Sequence, residues 1–509
     1  MSTGRRSGVL LHVTSLPGPY GAGDFGTCAV RFAEFLKEGG FSLWQMLPLT
    51  PVLPVFGNSP YSSPSAFAGN PSLVSPELLF EDGLLTRAEI EAHAVHSGRA
   101  ADFTAASDIR ARLVALAWER FRGGVCHQMS DDFEKFRTEE KYWLRDYALY
   151  SLLKEKNGGR CWAEWATEFA AHDEAALARF ETEHSDGLSL IEFTQFIFFR
   201  QLGALSARCA ELGVELMCDA PIYVAWDGAD VWAARWLFDL EPDGRPRCVA
   251  GVPPDYFSET GQRWGNPLYK WEEMRRDGFS WWRSRLRHML KYCSLVRIDH
   301  FRGLSAFWEI PASCETAKEG CWRPALGGEM LEAFRREDCG GGELPLVAED
   351  LGIITDDVRE LMARFGLPGM KVLMFAFGGR VAENPYAPHN ITPRSAVYTG
   401  THDNDTAAGW WAESATDEER GNFSLYCWRG VDARNAAEIM TRMALSSSAE
   451  LAVIPAQDLL GLGSECRMNR PSVPKGNWGW RLTYDEAARL MDGAPRLRAL
   501  NDIYGRLPR

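Results

Sequence analysis

Long apolar runs are absent from this 509-residue sequence, and their absence excludes a first class of protein. A membrane-spanning helix needs about 20 apolar residues in succession, and no stretch approaches that length. The apolar run that follows Arg5 and Arg6 covers only about five residues, which is too short for the apolar region of a signal peptide. We therefore expect neither a membrane protein nor an exported one, and we predict a cytoplasmic location.

Paired cysteine motifs and excess positive charge are lacking as well. The 12 cysteines form no CxxC pair, and Cys218 and Cys293 lie inside strand-like runs, which favours reduced thiols over a disulfide framework. The 55 basic residues are outnumbered by 69 acidic ones, so the net charge of −14 argues against nucleic acid as a partner. The glycines at 340–342 precede a strand, and no phosphate-binding glycine motif is correctly placed.

Apolar runs bounded by glycine, proline or charged residues are what the sequence does contain. Eight of these runs are typical of buried parallel strands. They cover residues 8–14, 42–49, 213–219, 293–299, 344–350, 369–377, 395–401 and 450–458. Amphipathic helical patterns separate many of them, at residues 29–40, 191–213, 356–366 and 436–448. Repeated alternation of strand and helix predicts an α/β fold, a (β/α)₈ TIM barrel.

Two connections are much longer than ordinary loops between a strand and the next helix. One covers about residues 51–190 and contains a helical pattern at 142–156, and the other covers about residues 224–290. Both leave from the carboxyl ends of predicted strands, which is the face where barrel enzymes hold their active sites. We therefore predict a single catalytic barrel domain over residues 1–509, with the two insertions forming subdomains around the active site.

Tryptophan is abundant, with 19 residues, and its setting divides it into two groups. Most are interpreted as core residues, as at Trp143, Trp236 and Trp308. Three lie in polar, glycine-rich segments: Trp264, Trp478 and Trp480. An exposed ring can stack on the apolar face of a sugar, so these three indicate a neutral, polyhydroxylated ligand.

Carboxylates follow three of the predicted strands. Asp299 ends the run at 293–299, Glu349 lies at the end of the fifth run, and Asp403 follows the seventh. Barrel enzymes place their catalytic groups at such strand ends. A retaining glycosidase needs one carboxylate as nucleophile and a second as proton donor and acceptor. The sequence therefore indicates chemistry on glycosidic bonds.

Two of these acids also have a purely structural interpretation. Arg297 and Asp299 share one face of a strand, so the guanidinium can keep Asp299 ionised as a nucleophile requires. The same arrangement is equally compatible with an ion pair that only stabilises the fold. Glu349 would need a raised pKa to act as a proton donor, and its alternative is to cap the following helix. Helix capping is the role that we predict for its neighbour Asp350, which points to the other face of the strand.

The third acid lies in a cluster of polar residues. His402 and Asp403 open the segment THDND, where an imidazole and a carboxylate can bind sugar hydroxyls. Asp and Asn also favour turns, so a loop of capping residues is the alternative. Asp219, which ends the third strand just before Pro221, is by itself typical of a turn.

Seven segments together resemble the 4-α-glucanotransferases called amylomaltases or disproportionating enzymes, glycoside hydrolase family 77, which are relatives of the α-amylases. They are SPYSSPSAFAGNPSLVSPELL (59–79), DAPIYVA (219–225), VPPDYFSETGQRWGNPLY (252–269), RIDHFRG (297–303), AEDLG (348–352), THDNDT (401–406) and GNWGWR (476–481). The resemblance extends over essentially the whole chain. The segments at 59–79 and 252–269 distinguish this family from ordinary amylases.

The resemblance implies a role for each matching residue. Asp299 is expected to be the nucleophile that forms a covalent β-glucosyl-enzyme, Glu349 the acid/base, and Asp403 the acid that holds the −1 sugar. The implied substrate-binding residues are Tyr61, Asp219, Gln262, Trp264, Arg297, His300, His402 and Asn469. The chain departs from the family pattern with CDAP at 218–221 and with Gly378, where some relatives carry an acid that would contact sugar.

The implied reaction transfers an α-1,4-glucan segment from a maltooligosaccharide or amylose donor to the 4-hydroxyl of a glucose or glucan acceptor. Retention of configuration requires the two carboxyl groups to lie about 5–5.5 Å apart. The segment 252–269, with Tyr256, Phe257 and Trp264, is the predicted lid that excludes water from the reaction. An α-glucan hydrolase of the amylase type and a catalytically silent glucan-binding protein are the alternatives.

No cofactor and no metal ion are implied by the resemblance or by the residue clusters. The expected partners are α-1,4-glucans together with glucose and maltooligosaccharide acceptors, with neither nucleic acid nor a membrane involved. A monomer and a dimer are both compatible with the sequence.

Overall fold

Eight parallel strands form a closed barrel in this computed structural model, which describes residues 4–95, 98–254, 258–471, 473 and 475–508. The strands of the chain are β1 (Arg6–Leu10), β2 (Leu43–Gln45), β3 (Glu215–Ala220), β4 (Cys248–Val252), β5 (Gln262–Pro267), β6 (Leu295–Ile298), β7 (Ala306–Pro311), β8 (Cys321–Pro324), β9 (Leu346–Ala348), β10 (Gly369–Val372), β11 (Ser395–Tyr398) and β12 (Leu451–Pro455). The barrel order is β1-β12-β11-β10-β9-β6-β3-β2. Each of these eight strands overlaps one of the eight predicted runs, so the predicted barrel is confirmed.

Helices cover the outside of the barrel and build the long connections. They are α1 (Thr27–Glu38), α2 (Pro76–Glu81), α3 (Arg87–Ala92), α4 (Phe103–Arg122), α5 (Ser130–Glu139), α6 (Lys141–Lys156), α7 (Thr167–Ala170), α8 (Glu174–Glu183), α9 (Ser185–Glu211), α10 (Ala229–Ala233), α11 (Trp271–Arg276), α12 (Ser280–Leu290), α13 (Gly327–Glu337), α14 (Asp356–Phe365), α15 (Ala407–Gly409), α16 (Asp417–Cys427), α17 (Ala436–Ser446), α18 (Ala456–Leu460), α19 (Tyr484–Asp492) and α20 (Ala494–Ile503). The helical patterns predicted from the sequence correspond to α1, α6, α9, α14 and α17.

Local sequence explains why these elements begin and end where they do. All five residues of β12 are buried, because helices cover one side of the strand and the barrel interior the other. Helix α14 buries Val358, Met362 and Phe365 along one stripe. It ends at Gly366, whose φ of 63° is a left-handed conformation that glycine adopts without strain.

The long connections rise from the carboxyl ends of β2 and β3. The first carries α2 to α8 before α9 packs against β3, and the second carries α10, α11, β4 and β5 before α12 packs against β6. The division of the chain into one barrel domain with two subdomains, at about residues 51–190 and 224–290, stays a prediction.

A second, antiparallel sheet was not expected from the sequence. Its strand order is β5-β4-β7-β8. β7 begins only a few residues after β6, following a short 3₁₀ helix at Phe301–Leu304. β4 pairs with β7 across a long stretch of sequence, which no local pattern reveals. All four residues of β8 are exposed, so this strand lacks the apolar pattern that would predict it. This sheet carries Gln262 and Trp264, both on β5.

The environments of three tryptophans contradict the sequence interpretation. Trp236, assigned to the core, is 51% exposed, while Trp143 is buried as expected. Trp478 and Trp480, expected to be exposed, are buried. Polar and glycine-rich neighbours in sequence say little about burial when the segment folds back against the barrel mouth, as both of these residues do. Trp264 is 37% exposed, in agreement with its interpretation.

One cysteine pair differs from the prediction of reduced thiols. Cys218 of β3 and Cys293, two residues before β6, form a disulfide with a Cα–Cα distance of 6.0 Å, whereas the other cysteines are free. Their separation of 75 residues hid this proximity from sequence inspection.

Within the described ranges, no helix combines the length and the apolar character needed to cross a bilayer.

Candidate active site

The ends of three adjacent barrel strands bring the predicted carboxylates together. Asp219 lies in β3, opposite Arg297 of β6 in the parallel register. The Asp299 N–H donates to the Ala220 carbonyl at 3.0 Å, and the Glu349 N–H donates to the Ile298 carbonyl at 3.1 Å. Backbone pairing between neighbouring strands therefore fixes Asp219, Asp299 and Glu349 at one end of the barrel.

Arg297 is the centre of an ion-pair network on one side of the site. Its Nη1 atom donates to both carboxylate oxygens of Asp219, at 2.7 and 2.6 Å, and its Nη2 atom lies 3.0 Å from Oδ1 of Asp299. Arg297 and Asp219 are fully buried, whereas the Asp299 side chain remains 30% exposed. The guanidinium thus holds a buried carboxylate on one side and orients a solvent-accessible one on the other.

Glu349 is held by peptide groups. Its Oε2 atom accepts the N–H of His300 at 2.7 Å, and its Oε1 atom accepts the N–H of Leu351 at 2.9 Å. His300 has a φ of 47°, a left-handed conformation that is uncommon for a non-glycine residue. This local strain turns the His300 N–H toward the Glu349 carboxylate, and such strain is often found at functional sites.

The two carboxyl groups differ in acidity. Burial raises the pKa of Asp299 to about 6, with Arg297 opposing the shift and Asp219 and Asp403 adding to it. Burial raises the pKa of Glu349 to about 7, and the charge of Asp299 raises it further. Because the charge of Asp299 raises the pKa of Glu349, the state with Asp299 ionised and Glu349 protonated is favoured over the reverse. This is the arrangement that a nucleophile and a proton donor require.

The pKa of Arg297 lies well above its ordinary value. Burial alone lowers this pKa, but the charges of Asp219 and Asp299 more than offset that effect. Arg297 therefore stays charged throughout the pH range in which the two carboxyl groups titrate.

A stack of rings adjoins the Arg297 network. The Tyr61 hydroxyl donates to Oδ2 of Asp219 at 2.6 Å, and its ring stacks on His402 with centroids 5.0 Å apart. Trp478 packs against both rings, at 5.7 Å from Tyr61 and 6.0 Å from His402. The position of His402 is therefore set by rings from two distant loops. Trp478 carried a sequence signal for sugar stacking, but the structure places it behind the residues that would meet the sugar.

Asp403 is the most accessible of the three acids, with its side chain 47% exposed. Its Oδ1 atom accepts the side-chain N–H of Asn469 at 2.6 Å and lies 3.4 Å from Nε2 of His402. Arg467, which the sequence interpretation did not single out, donates to the Asp403 carbonyl at 2.6 Å and to the Asn469 carbonyl at 2.6 Å. Arg467 lies in the same segment as Asn469, and only the fold reveals its contact with the loop after β11.

Trp264 and Gln262 project from the second sheet toward the same site. The Trp264 indole N–H donates to Oε1 of Gln262 at 3.1 Å, and its ring meets the His300 imidazole edge-on, with centroids 4.9 Å apart. All eleven residues predicted for the site are thus joined through direct contacts or strand pairing. Tyr256 and Phe257, which were predicted for the lid, lie outside the described residues.

One neighbouring residue does not have its predicted role. Asp350 was expected to cap the following helix, but α14 begins after Thr355 without a side-chain cap. Asp350 instead accepts the Met370 N–H at 2.6 Å and lies 3.7 Å from the ammonium of Lys371. The prediction is wrong because five further residues separate Asp350 from the helix, so its carboxylate ties β9 to β10.

The chain matches known proteins over nearly its full length. A family model described as 4-alpha-glucanotransferase matches residues 11–486. The curated 4-alpha-glucanotransferase of Thermus thermophilus is 46% identical over 100% of both chains. The chloroplastic/amyloplastic enzyme of that name from Solanum tuberosum is 40% identical over 99% of this chain and 87% of its own. Among solved structures, the amylomaltase of Streptococcus agalactiae in complex with acarbose has a TM-score of 0.93 at 34% identity, covering 99% of this chain and 100% of its own.

Proposed function

Because the chain belongs to the 4-α-glucanotransferase family, we propose that it transfers α-1,4-glucan segments from a maltooligosaccharide or amylose donor to the 4-hydroxyl of a glucose or glucan acceptor. One observation carries the proposal. Two partly buried carboxyl groups end adjacent strands, Asp299 beside a guanidinium and Glu349 on two peptide N–H groups. These surroundings suit a nucleophile and a proton donor, respectively.

The reaction proceeds in two displacements. In the first, a carboxylate oxygen of Asp299 attacks the anomeric carbon of the donor while Glu349 gives its proton to the departing glycosidic oxygen. The leaving chain carries away that proton, and the donor glucan becomes covalently bound to Asp299. In the second, ionised Glu349 takes the proton of the acceptor 4-hydroxyl, whose oxygen attacks the same carbon and releases Asp299. Two inversions give net retention.

Asp403, His402 and Asn469 bind the sugar ring whose bond is broken. The exposed carboxylate of Asp403 can accept from ring hydroxyls, and Asn469 holds it in place at 2.6 Å. Arg297 and Tyr61 act behind Asp299, where they fix Asp219 and the orientation of the nucleophile. Rigid positioning of this kind lowers the entropic part of the barrier.

The choice between sugar and water depends on the acceptor side. Water is always available, so a transferase has to hold an acceptor hydroxyl better than it holds water. Trp264 and Gln262 form the acceptor platform, since the partly exposed indole lies edge-on to His300 next to the Glu349 carboxylate. A sugar stacked on Trp264 would place its 4-hydroxyl near the group that accepts the proton.

Incubation of the purified protein with maltotriose tests the proposal. Disproportionation gives glucose and a ladder of longer maltooligosaccharides while the total number of reducing ends stays constant. A rise in reducing ends with only shorter products would establish a hydrolase instead. Variants of Trp264 extend the test, since Trp264→Ala is expected to raise hydrolysis relative to transfer.

The Asp299→Asn variant separates catalysis from simple glucan binding. It is expected to bind maltoheptaose while forming no products, because the amide cannot act as the nucleophile. Unchanged product formation in this variant would exclude the proposed role of Asp299. We further propose a cytoplasmic location. The protein is either a monomer or a dimer, and gel filtration of the native protein would distinguish these two states.

A further inference from the structure

A second cavity lies away from the catalytic residues, between helices of the two long connections. Its volume is about 260 Å³, just below the roughly 300 Å³ at which small-molecule sites begin, and it opens to solvent. Helix α6 contributes Tyr142 and Asp146, the segment around α10 contributes Asp230 and Trp236, and α12 contributes Trp281. We call it the aromatic cavity. None of the eleven residues assigned to the catalytic site lines it.

Exposed aromatic rings form its walls. Trp236 is 51% exposed and Tyr142 is 46% exposed, although large aromatic side chains are usually well buried. Phe67, also in the lining, meets the rings of Tyr142 and Trp281 edge-on, with centroids 5.7 and 5.9 Å apart. The Tyr142 hydroxyl lies 3.2 Å from Nδ1 of His288, which further fixes the orientation of its ring. The aromatic surface is therefore formed before any ligand arrives.

Polar groups of low net charge complete the lining. Asp146 lies 3.1 Å from the imidazole of His172, and Asp230 is buried, accepting the Ala66 N–H at 2.8 Å. Burial lowers the pKa of His172, but Asp146 raises it more, so His172 tends to neutralise that carboxylate. Burial raises the pKa of Asp230 to about 6 and the charge of Arg285 opposes this shift, so Arg285 partly balances the carboxylate at neutral pH.

This combination selects a class of ligand. No Lys or Arg occurs among the described residues of the lining, which disfavours anions such as phosphates. Both carboxylates have partners, so a cation gains little from them. A neutral molecule with flat apolar faces and many hydroxyls matches the rings and the serine and aspartate oxygens around them, and a chain of glucose units has these properties.

We propose that the aromatic cavity is a second binding site for α-1,4-glucan, which holds a long chain while the active site acts on another part of it. The proposal rests on the proposed transferase function for the identity of the glucan. Two sites on one polymer raise the effective concentration of the chain at the active site. Long glucans therefore benefit from the cavity, whereas maltotriose, which is too short to occupy both sites, does not.

The test compares Trp236→Ala with Trp428→Ala. Trp428 is 93% exposed at the end of α16 and does not line the cavity, so it controls for the loss of an exposed indole. We expect Trp236→Ala to raise the KM for amylose about tenfold while the rate of maltotriose disproportionation stays unchanged. Trp428→Ala should match the parent enzyme on both substrates. Equal amylose KM values for the two variants would overturn the proposal.

A binding measurement tests the cavity independently of turnover. Calorimetric titration of maltoheptaose into Asp299→Asn protein is expected to show two binding sites. The double variant Asp299→Asn/Trp236→Ala should show only one. Ala233→Lys, which enters the cavity from α10, provides a second variant that should have the same effect. A single site in Asp299→Asn protein would refute the second site. If the parent enzyme formed no ladder from maltotriose, the proposed function itself would fail, and the two failures are thus distinguishable.

Discussion

Asp299 and Glu349 occupy equivalent places at the ends of β6 and β9, but their immediate partners differ. Asp299 lies 3.0 Å from the guanidinium of Arg297, whereas Glu349 accepts hydrogen bonds from the backbone N–H groups of His300 and Leu351. Burial raises the pKa of both groups, to about 6 for Asp299 and about 7 for Glu349. The difference shows how one barrel end can hold two carboxyl groups in opposite protonation states.

Nearby charges add to the ordinary difference between the pKa values of Asp and Glu side chains. A full positive charge stabilises the ionised form of Asp299 against burial, and the negative charge on Asp299 then favours the protonated form of Glu349. The two groups titrate as a coupled pair, so each assignment depends on the other. The following variants test whether the partners or the strand positions define the two roles.

Removal of either carboxyl group should have the largest effect and should separate the roles. We expect Glu349→Ala to lower maltotriose turnover by about 10²–10⁴-fold, the usual contribution of a proton-transfer group. Asp299→Ala should lower it at least as much, because no covalent intermediate can form. With α-glucosyl fluoride as donor, whose leaving group needs no proton, Glu349→Ala should release about one equivalent of fluoride per enzyme in the first turnover. Asp299→Ala should release none.

Asp356→Ala is the matched control for these losses. Asp356 lies in the first turn of α14 with its side chain 89% exposed, so its removal should change neither reaction. A first-turnover release of fluoride by Asp299→Ala but not by Glu349→Ala would reverse the proposed assignment.

Changes at Arg297 should shift the pH dependence. Activity requires ionised Asp299 and protonated Glu349, so kcat/KM should fall as pH drops through about 6 and as it rises through about 7. In Arg297→Lys one ammonium cannot bridge Asp219 and Asp299 as the guanidinium does. The pKa of Asp299 should then rise, moving the acidic limb of the profile to higher pH and lowering the maximum.

Stability provides a second measurement of the same contact. Arg297→Met leaves Asp219 buried without its cation, which should lower the free energy of unfolding by about 3–5 kcal/mol. Arg359→Lys, at an exposed ion pair, is the control and should leave both the pH profile and the denaturation midpoint unchanged. An unshifted acidic limb in Arg297→Lys would show that the pKa of Asp299 does not depend on the geometry of the guanidinium.

The Tyr61 hydroxyl should have the smallest effect. Tyr61→Phe removes one hydrogen bond to Asp219 but keeps the ring stack on His402 and the two bonds from Arg297. We expect a loss of about 1 kcal/mol in stability and less than tenfold in kcat/KM. Tyr61→Ala, which also removes the ring, should lower kcat/KM further. Equal kcat/KM values for Tyr61→Phe and Tyr61→Ala would show that the ring stack does not position His402.

The barrel could be predicted from the sequence because its signals are local. The eight strands are buried on both sides and appear as continuous apolar runs, and the acids directly after β6 and β9 need no tertiary information to be noticed. Arg297 and Asp299 lie two residues apart on one strand, so their contact also follows from the sequence. The specific roles of the site residues came from family resemblance and stay predictions.

Other contacts depend on residues far apart in the chain, and no local pattern reveals them. Asp219 was interpreted from sequence as a turn residue, but the register of β3 with β6 places it opposite Arg297. Trp478 reaches Tyr61 and His402 through the folding of three separate loops. Asp350 was assigned to the wrong partner, because its carboxylate bonds across to β10 rather than forward along the chain.

Closure of the barrel has a consequence for synthesis of the chain. β1 is made first, yet it pairs with both β2 and β12, and the buried guanidinium of Arg506 donates to the carbonyl of Arg6 at 2.7 Å. At roughly 5–20 residues per second, about 20–90 s separate the emergence of β1 from that of β12. During this time the nascent chain carries an unpaired strand edge, which is prone to aggregation. A ribosome-bound chain that ends before β12 should therefore depend on chaperones for solubility.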